Sequence, residues 1–151
     1  MTTTVAEEPY STVAEEIKAL TPLHWEELAR NKDDVPLDVD WTFYETLDRV
    51  GALAVYTVRD EGYLVGYAGY IVRKHPRYRT TMWAVSDVFW VHPDQRDGKV
   101  GNALFAFIEE SLRAKGVAVM HTTHKIDHPA PGLLLRRRGH VMIEAGYSKR
   151  L

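Results

Sequence analysis

Apolar and polar positions along this chain change their period repeatedly, and each change marks a predicted element. Between Ser11 and Leu20 the apolar residues Val13, Ile17 and Leu20 recur at helical spacing, with Ser11 as cap and Glu15 and Glu16 in the early turns. Thr21-Pro22 reads as a second cap followed by a first-turn proline, opening another helix that carries Leu23, Trp25 and Leu28 to about Arg30. An acidic, proline-containing loop over 31–40 ends at Asp40, the predicted cap of a third helix over 41–50 that Gly51 terminates.

Beyond Gly51 the chain turns β-rich. The runs 52–59 and 63–73 are joined by Asp60-Glu61-Gly62, which predicts an antiparallel hairpin. A basic turn, His75 to Arg79, leads into Met82 to Val91, a run of aromatic and β-branched residues that stops at Pro93-Asp94 and reads as a mostly buried strand. The helical period then returns. Val100, Leu104, Phe107, Ile108 and Leu112 share one face and Glu109, Glu110, Arg113 and Lys115 the other, until Gly116 caps the helix. Residues 117–125 form the next predicted strand, parallel to the Met82 strand because a helix separates the two. A short helix over 129–138, stopped by Gly139, and a last strand over 141–149 complete the pattern.

This order predicts an α/β (α+β) fold: a mixed, mainly antiparallel sheet with one parallel strand pair and helices on both sides. Residues 1–9 are polar and expected to be a flexible N-terminus; residues 10–151 suffice for a single domain with its own core.

Composition narrows the chemistry. The absence of cysteine excludes disulfides, thiolate zinc sites and cysteine nucleophiles, and suits a reducing cytoplasm. No apolar run has the length of a membrane span and the acidic start is unlike a signal peptide, so a cytoplasmic location and no membrane partner are expected. Net charge is −2, yet residues 1–60 hold 13 acids and 5 bases while residues 61–151 hold 8 acids and 14 bases. An anionic and a cationic partner could therefore meet different ends of the fold, although solvated faces that differ by chance give the same counts. The negative total and the lack of a continuous basic helix argue against duplex nucleic acid. Arg136-Arg137-Arg138 suits the dipole of a helix end, and could also touch nucleotide phosphates.

The loop before the Val100 helix is the chief candidate site. Gln95-Arg96-Asp97-Gly98-Lys99-Val100-Gly101-Asn102 sets two glycines and two cations where helix N–H groups lack internal partners, which makes an anion site. A surface turn whose glycines serve only the bend has the same composition. A Walker loop does not fit, because the upstream glycine and the following Ser or Thr are missing.

Val91-His92-Pro93-Asp94-Gln95-Arg96 followed by Gly101-Asn102-Ala103-Leu104 resembles the acetyl-coenzyme A motif of the GNAT superfamily of N-acetyltransferases, (Gln/Arg)-x-x-Gly-x-(Gly/Ala). Arg96 and Gly101 fill its outer positions; Lys99 stands at the middle glycine, with Gly98 beside it. The element order matches over residues 10–151, and the run from Asp87 to Gly101 with the ending GYSKRL is similar to small GNAT proteins of tailed bacteriophages. The resemblance implies a splayed parallel pair whose first strand offers Phe89, Trp90 and Val91 to the pantetheine arm, with Arg96, Asp97, Gly98, Lys99, Val100, Gly101 and Asn102 at the phosphates. It implies acetyl-coenzyme A as donor, no metal, and direct attack on the thioester by a cationic amine acceptor, small molecule or protein, once deprotonated. A homodimer is left open.

Asp87, the one carboxylate of the Met82 strand and flanked by Val85 and Phe89, is the candidate base. At the family's usual acid, a Tyr, this chain has Leu135; His128 and Tyr147 are the candidate replacements, and an unassisted thiolate is the alternative. His121, His124, Asp127 and His128 also invite a metal reading, against which stands the opposite facing of 121 and 124 on a strand. Trp25, Trp41, Tyr44 and the aspartates at 33, 34, 38 and 40 are candidates for a pocket that holds a cationic amine. The missing Tyr leaves two further readings: a non-catalytic acyl-coenzyme A binder or structural, host-interaction module, and a phage enzyme that acylates an aminated nucleobase.

Overall fold

The computed structural model describes residues 2–151, so Met1 of the expected flexible N-terminus lies outside them. The rest of that segment is not a tail. Thr3–Glu7 forms strand β1, with Thr3 opposite Asp60 and Glu7 opposite Tyr56. Two apolar residues give the segment almost no periodicity of its own; the neighbouring edge supplies its backbone partners, and Val5 packs on the core.

Helix α1, Tyr10–Leu28, replaces the two helices expected there and keeps Pro22 inside it. Proline in a helix interior removes one N–H and costs about 3 kcal/mol. Here the apolar stripe Tyr10, Val13, Ala14, Ile17, Leu20 and Leu28 runs through the proline into one core cluster, and continuous burial outweighs the local loss. Helix α2, Trp41–Arg49, starts where predicted, its cap Asp40 accepting from the Phe43 N–H at 3.1 Å.

Strands β2, Leu53–Asp60, and β3, Tyr63–His75, form the expected hairpin through Glu61 (φ 49°) and Gly62 (φ 89°). Paired left-handed residues match the twist of the flanking strands. Strand β4, Tyr78–Val91, starts earlier than its apolar run, because the ladder to β3 extends to a His75–Tyr78 pair at the turn. Helix α3, Lys99–Ala114, strand β5, Val119–His121, and helix α4, Ala130–Arg137, follow. The sheet order is β1-β2-β3-β4-β5, antiparallel except for β4 and β5.

Alternation along β2 separates two cores. Ala54, Tyr56 and Val58 face α3, whose Val100, Leu104, Phe105, Ile108 and Leu112 are buried against them; Val55 faces α1 on the other side. The last expected strand, over 141–149, does not form. Strand-like composition needs a backbone partner, and residues 141–149 have no strand partner among the described residues.

Candidate active site

The site begins at a bulge in β4. Val88 pairs with Gly69 and Ser86 with Tyr70, which leaves Asp87 without a partner on β3. A bulge breaks strict alternation. Ala84 therefore lies in the α3 core, Val88 and Trp90 in the α1 core, and Phe89 and Val91 return to the α3 side. Asp87 points to α2, where it accepts the Tyr44 hydroxyl at 2.8 Å. The isolated, desolvated carboxylate expected from the sequence is thus corrected: Asp87 is exposed and hydrogen-bonded. Burial, and next Asp87, push the Tyr44 hydroxyl well above the ordinary phenol range, so it donates rather than ionises.

Past the bulge, β4 loses its outer neighbour. Its pairing with β5 stops at Val85 opposite His121, and the Thr123 N–H bonds the Ser86 hydroxyl at 3.0 Å instead of continuing the ladder. Phe89, Trp90 and Val91 pair with β3 alone, so their other side opens into a cleft of about 1050 Å³. Asp87, Phe89, Trp90, Val91, Arg96, Gly98, Gly101 and His128 all line it.

The loop after β4 is tightly built. Gln95 Nε2 donates to Asp60 at 3.1 Å, tying the Pro93–Gln95 turn to the first hairpin. Asp97 Oδ1 accepts from the N–H groups of Lys99 (2.8 Å) and Val100 (3.1 Å), and these bonds lower its pKa. Asp97 is therefore a helix cap inside the expected anion loop. Gly98 has φ 80°, a conformation that favours glycine. Gly101 answers to packing as well: a Cβ there would lie 3.1 Å from Leu134 of α4.

All three guanidinium nitrogens of Arg96 are engaged by protein groups. Its Nε donates to the Val91 carbonyl at 2.8 Å and its two terminal nitrogens reach Glu27 of α1 at 2.6 Å each. Glu27 also accepts from Trp90 Nε1 at 2.8 Å, and Arg96 chiefly holds its pKa down at about 2. Lys99 and Arg137 form no ion pair among the described residues, and both border a smaller hollow with Gly98 and Asn102. Arg138 instead clasps Glu109 and donates to Asn102 at 2.8 Å. Sequence reasoning gave the three arginines at 136–138 mainly to the helix dipole; Arg137 and Arg138 both border the hollow beside Gly98, and the Glu109 pair separates Arg138 from Arg137.

The α1 wall adds residues that sequence reasoning missed. His24 Nδ1 lies 2.8 Å from the Tyr67 hydroxyl and its ring stacks on Trp90, with centroids 6.0 Å apart. Burial lowers the His24 pKa to about 4, so the ring is neutral at physiological pH. Trp25, Trp41 and Tyr44 line the cleft as expected of a pocket wall, but the loop aspartates do not. Asp40 caps α2 and Asp34 lies near Arg150, while Leu37 and Val39 face the cleft in their place. Tyr147 is on the exposed C-terminal segment and does not line the cleft, and Leu135 is buried in the α3 core. Among the described residues no group of three His, Cys, Asp or Glu side chains is placed to hold a metal ion.

The Glu27–Arg96 pair gives a pH prediction. A carboxyl whose folded pKa is depressed contributes stability above its unfolded value, and that stability is lost as pH falls toward the folded value. For Glu27 the window runs from about 4.5 down to about 2. Chemical denaturation at stepped pH should show the parent losing more stability across this window than Glu27→Gln. Equal acid slopes would mean that the pair contributes nothing to folding.

A sheet parted at its parallel pair, with a helix N-terminus and free cations at the mouth of the gap, defines an α/β protein that can receive a long, anion-ended molecule along an open strand edge. Residues 17–140 match the model of the acetyltransferase (GNAT) family, and the chain belongs to that family. It is an acetyltransferase, and its acetyl donor is acetyl-coenzyme A. Solved structures agree on the fold. A ribosomal-protein-alanine N-acetyltransferase from Brucella melitensis biovar Abortus 2308 superposes with TM-score 0.76 at 17% identity, covering 100% of both chains. AAC(6')-Iy in complex with the bisubstrate analogue CoA-S-monomethyl-acetylneamine gives 0.69 at 17%, again over 100% of both chains. Glucosamine-6-phosphate N-acetyltransferase from Arabidopsis thaliana gives 0.70 at 13%, over 99% of each. No curated protein matches the sequence.

Proposed function

We propose that the protein moves the acetyl group of acetyl-coenzyme A to a primary amine, which attacks the thioester directly while both substrates occupy the cleft. The observation that carries this reading is the continuity of one cleft from the free β4 edge to Asp87. Backbone groups of Phe89, Trp90 and Val91 pair with the pantetheine amides, satisfying polar groups that the parted strands leave open. Gly98 and Gly101 let phosphates approach the start of α3, with Lys99 and Arg137 supplying charge. Arg96 acts at one remove, holding the Val91 carbonyl and α1 in place.

The amine enters from the side of α2, where Trp41 and Tyr44 provide aromatic surface and Asp87 a carboxylate. Asp87 takes the ammonium proton directly or through water, and the hydroxyl of Tyr44 fixes its orientation. His128, which lines the cleft, protonates the leaving thiolate in this reading. In this reading the enzyme works in the cytoplasm, that of the bacterial host if it is phage-encoded. Leu135, buried where the family commonly carries Tyr, favours a second reading in which the chain binds the acyl donor without turning it over.

Two measurements test this. Acetyl-coenzyme A should raise the melting temperature, because a ligand of the native state alone stabilises it. Arg137→Glu should weaken binding about 10-fold or more, since it places an anion where a cation met the phosphates. Unchanged affinity in the folded variant would move the phosphate site elsewhere. Incubation of purified protein and acetyl-coenzyme A with cell lysate should give an acetylated amine detectable by mass spectrometry. Binding without any such product, in lysates from several sources, would favour the second reading.

A further inference from the structure

Beyond Asp87 the cleft continues toward α2, and the charges along it limit what it can hold. Among the described residues three carboxylates line it: Glu27, Asp87 and Asp127. Two are already matched by cations. Glu27 is held by both terminal nitrogens of Arg96 at 2.6 Å, and Asp127 lies 2.6 Å from Arg30. Asp87 meets only the neutral Tyr44 hydroxyl, at 2.8 Å. The cleft therefore offers one unmatched negative charge.

Around that charge the wall is apolar. Trp25 and Leu28 come from the end of α1, Leu37 and Val39 from the connection to α2, and Trp41 from the first turn of α2. None of the four aspartates in that connection, at 33, 34, 38 and 40, lines the cleft. Cations stand at both tryptophans instead: Lys18 Nζ is 5.5 Å from the Trp41 ring centre and Lys32 Nζ 5.9 Å from that of Trp25. A second or third ammonium brought here would lose water without gaining a counter-charge, and Lys18 or Lys32 would repel it. An apolar body gains in proportion to the surface it covers.

We propose that the acceptor is a primary monoamine on an apolar body, its one ammonium paired with Asp87 and its body covering Leu37, Val39 and Trp41, and that polycationic amines are excluded. This rests on the reading in which the acceptor occupies the α2 side of the cleft. A free arylalkylamine and the apolar N-terminus of a peptide share this chemistry.

The test measures binding apart from transfer. With coenzyme A at saturation, calorimetry should give phenethylamine a dissociation constant at least about 10-fold below those of spermidine and kanamycin. Phenylalanyl-leucine amide, run beside it, separates the two sources, since tighter binding of the peptide assigns the site to a chain terminus. Leu37→Asp sets a second carboxylate on the wall at a residue that is 37% exposed, and should narrow the preference for phenethylamine over spermidine about 10-fold or more. Loss of fold alone would not exchange one preference for the other. Parent protein that prefers spermidine or kanamycin, or binds none of the amines, overturns the proposal, as does a folded Leu37→Asp chain with the parent's preference. Acetylated product is read separately by mass spectrometry. Phenethylamine that binds but is never acetylated refutes the transfer reading and leaves the binding preference standing, whereas spermidine acetylated ahead of phenethylamine keeps the transfer and overturns the acceptor class.

Discussion

Replacing Asp87 with Asn is expected to slow turnover roughly 100-fold or more, the usual scale for loss of a general base, with acetyl-coenzyme A affinity almost unchanged. The asparagine carbonyl can still accept the Tyr44 hydroxyl, which now reaches Asp87 at 2.8 Å, so the geometry survives while the proton acceptor is lost. Tyr44→Phe should cost less, because it removes the orienting bond and leaves the carboxylate. Steady-state kinetics with an identified amine acceptor measures both. If Asp87→Asn keeps the full rate and the parent's pH profile, the amine loses its proton to another group.

The largest expected stability effect is at Phe105. This residue is buried in the α3 core, with its ring edge-on to Phe89 at 5.4 Å and 77°. Phe105→Ala removes the ring and leaves a cavity under the strand edge, a change that typically destabilises by about 3–5 kcal/mol. For a domain whose total stability is about 5–15 kcal/mol, that is a large share. Urea denaturation gives the loss directly. Because Phe89 then lacks support, the KM for acetyl-coenzyme A should rise as well, and Phe105→Leu should restore most of both. A loss below about 1 kcal/mol would show that Phe89 and α3 repack around the gap.

Several features were legible without coordinates because their causes are local. The Asp40 cap, the Glu61-Gly62 turn and the amphipathic stripe of α3 each depend on residues a few positions apart; the first two occur as the pattern predicts, and the stripe does so at Val100, Leu104, Ile108 and Leu112, while Phe105 is buried and the expected Phe107 is exposed. The glycines and cations before α3 are the composition of an anion loop, which binding measurements have yet to test. Their detail did not follow, since Asp97 is a cap, Gly101 abuts Leu134, and Arg96 turns to Glu27, 69 positions away in the chain.

The bulge at Asp87 shows the limit most clearly. Strict alternation puts Ala84, Val88 and Trp90 on one face, but an unpaired residue sends Val88 and Trp90 to the opposite core from Ala84. No residue in the run announces this; it is set by the register with β3. The continuous α1 helix across Pro22, the strand β1 and the unpaired tail have the same origin. Periodicity and capping are properties of neighbours in sequence, so the sequence by itself determined the resemblance to the family, the helices α2 and α3 and the first hairpin. Which backbone edges find partners is a property of the assembled sheet. Tertiary structure therefore decided where the cleft opens, which cations face it, and which strand is left without a partner.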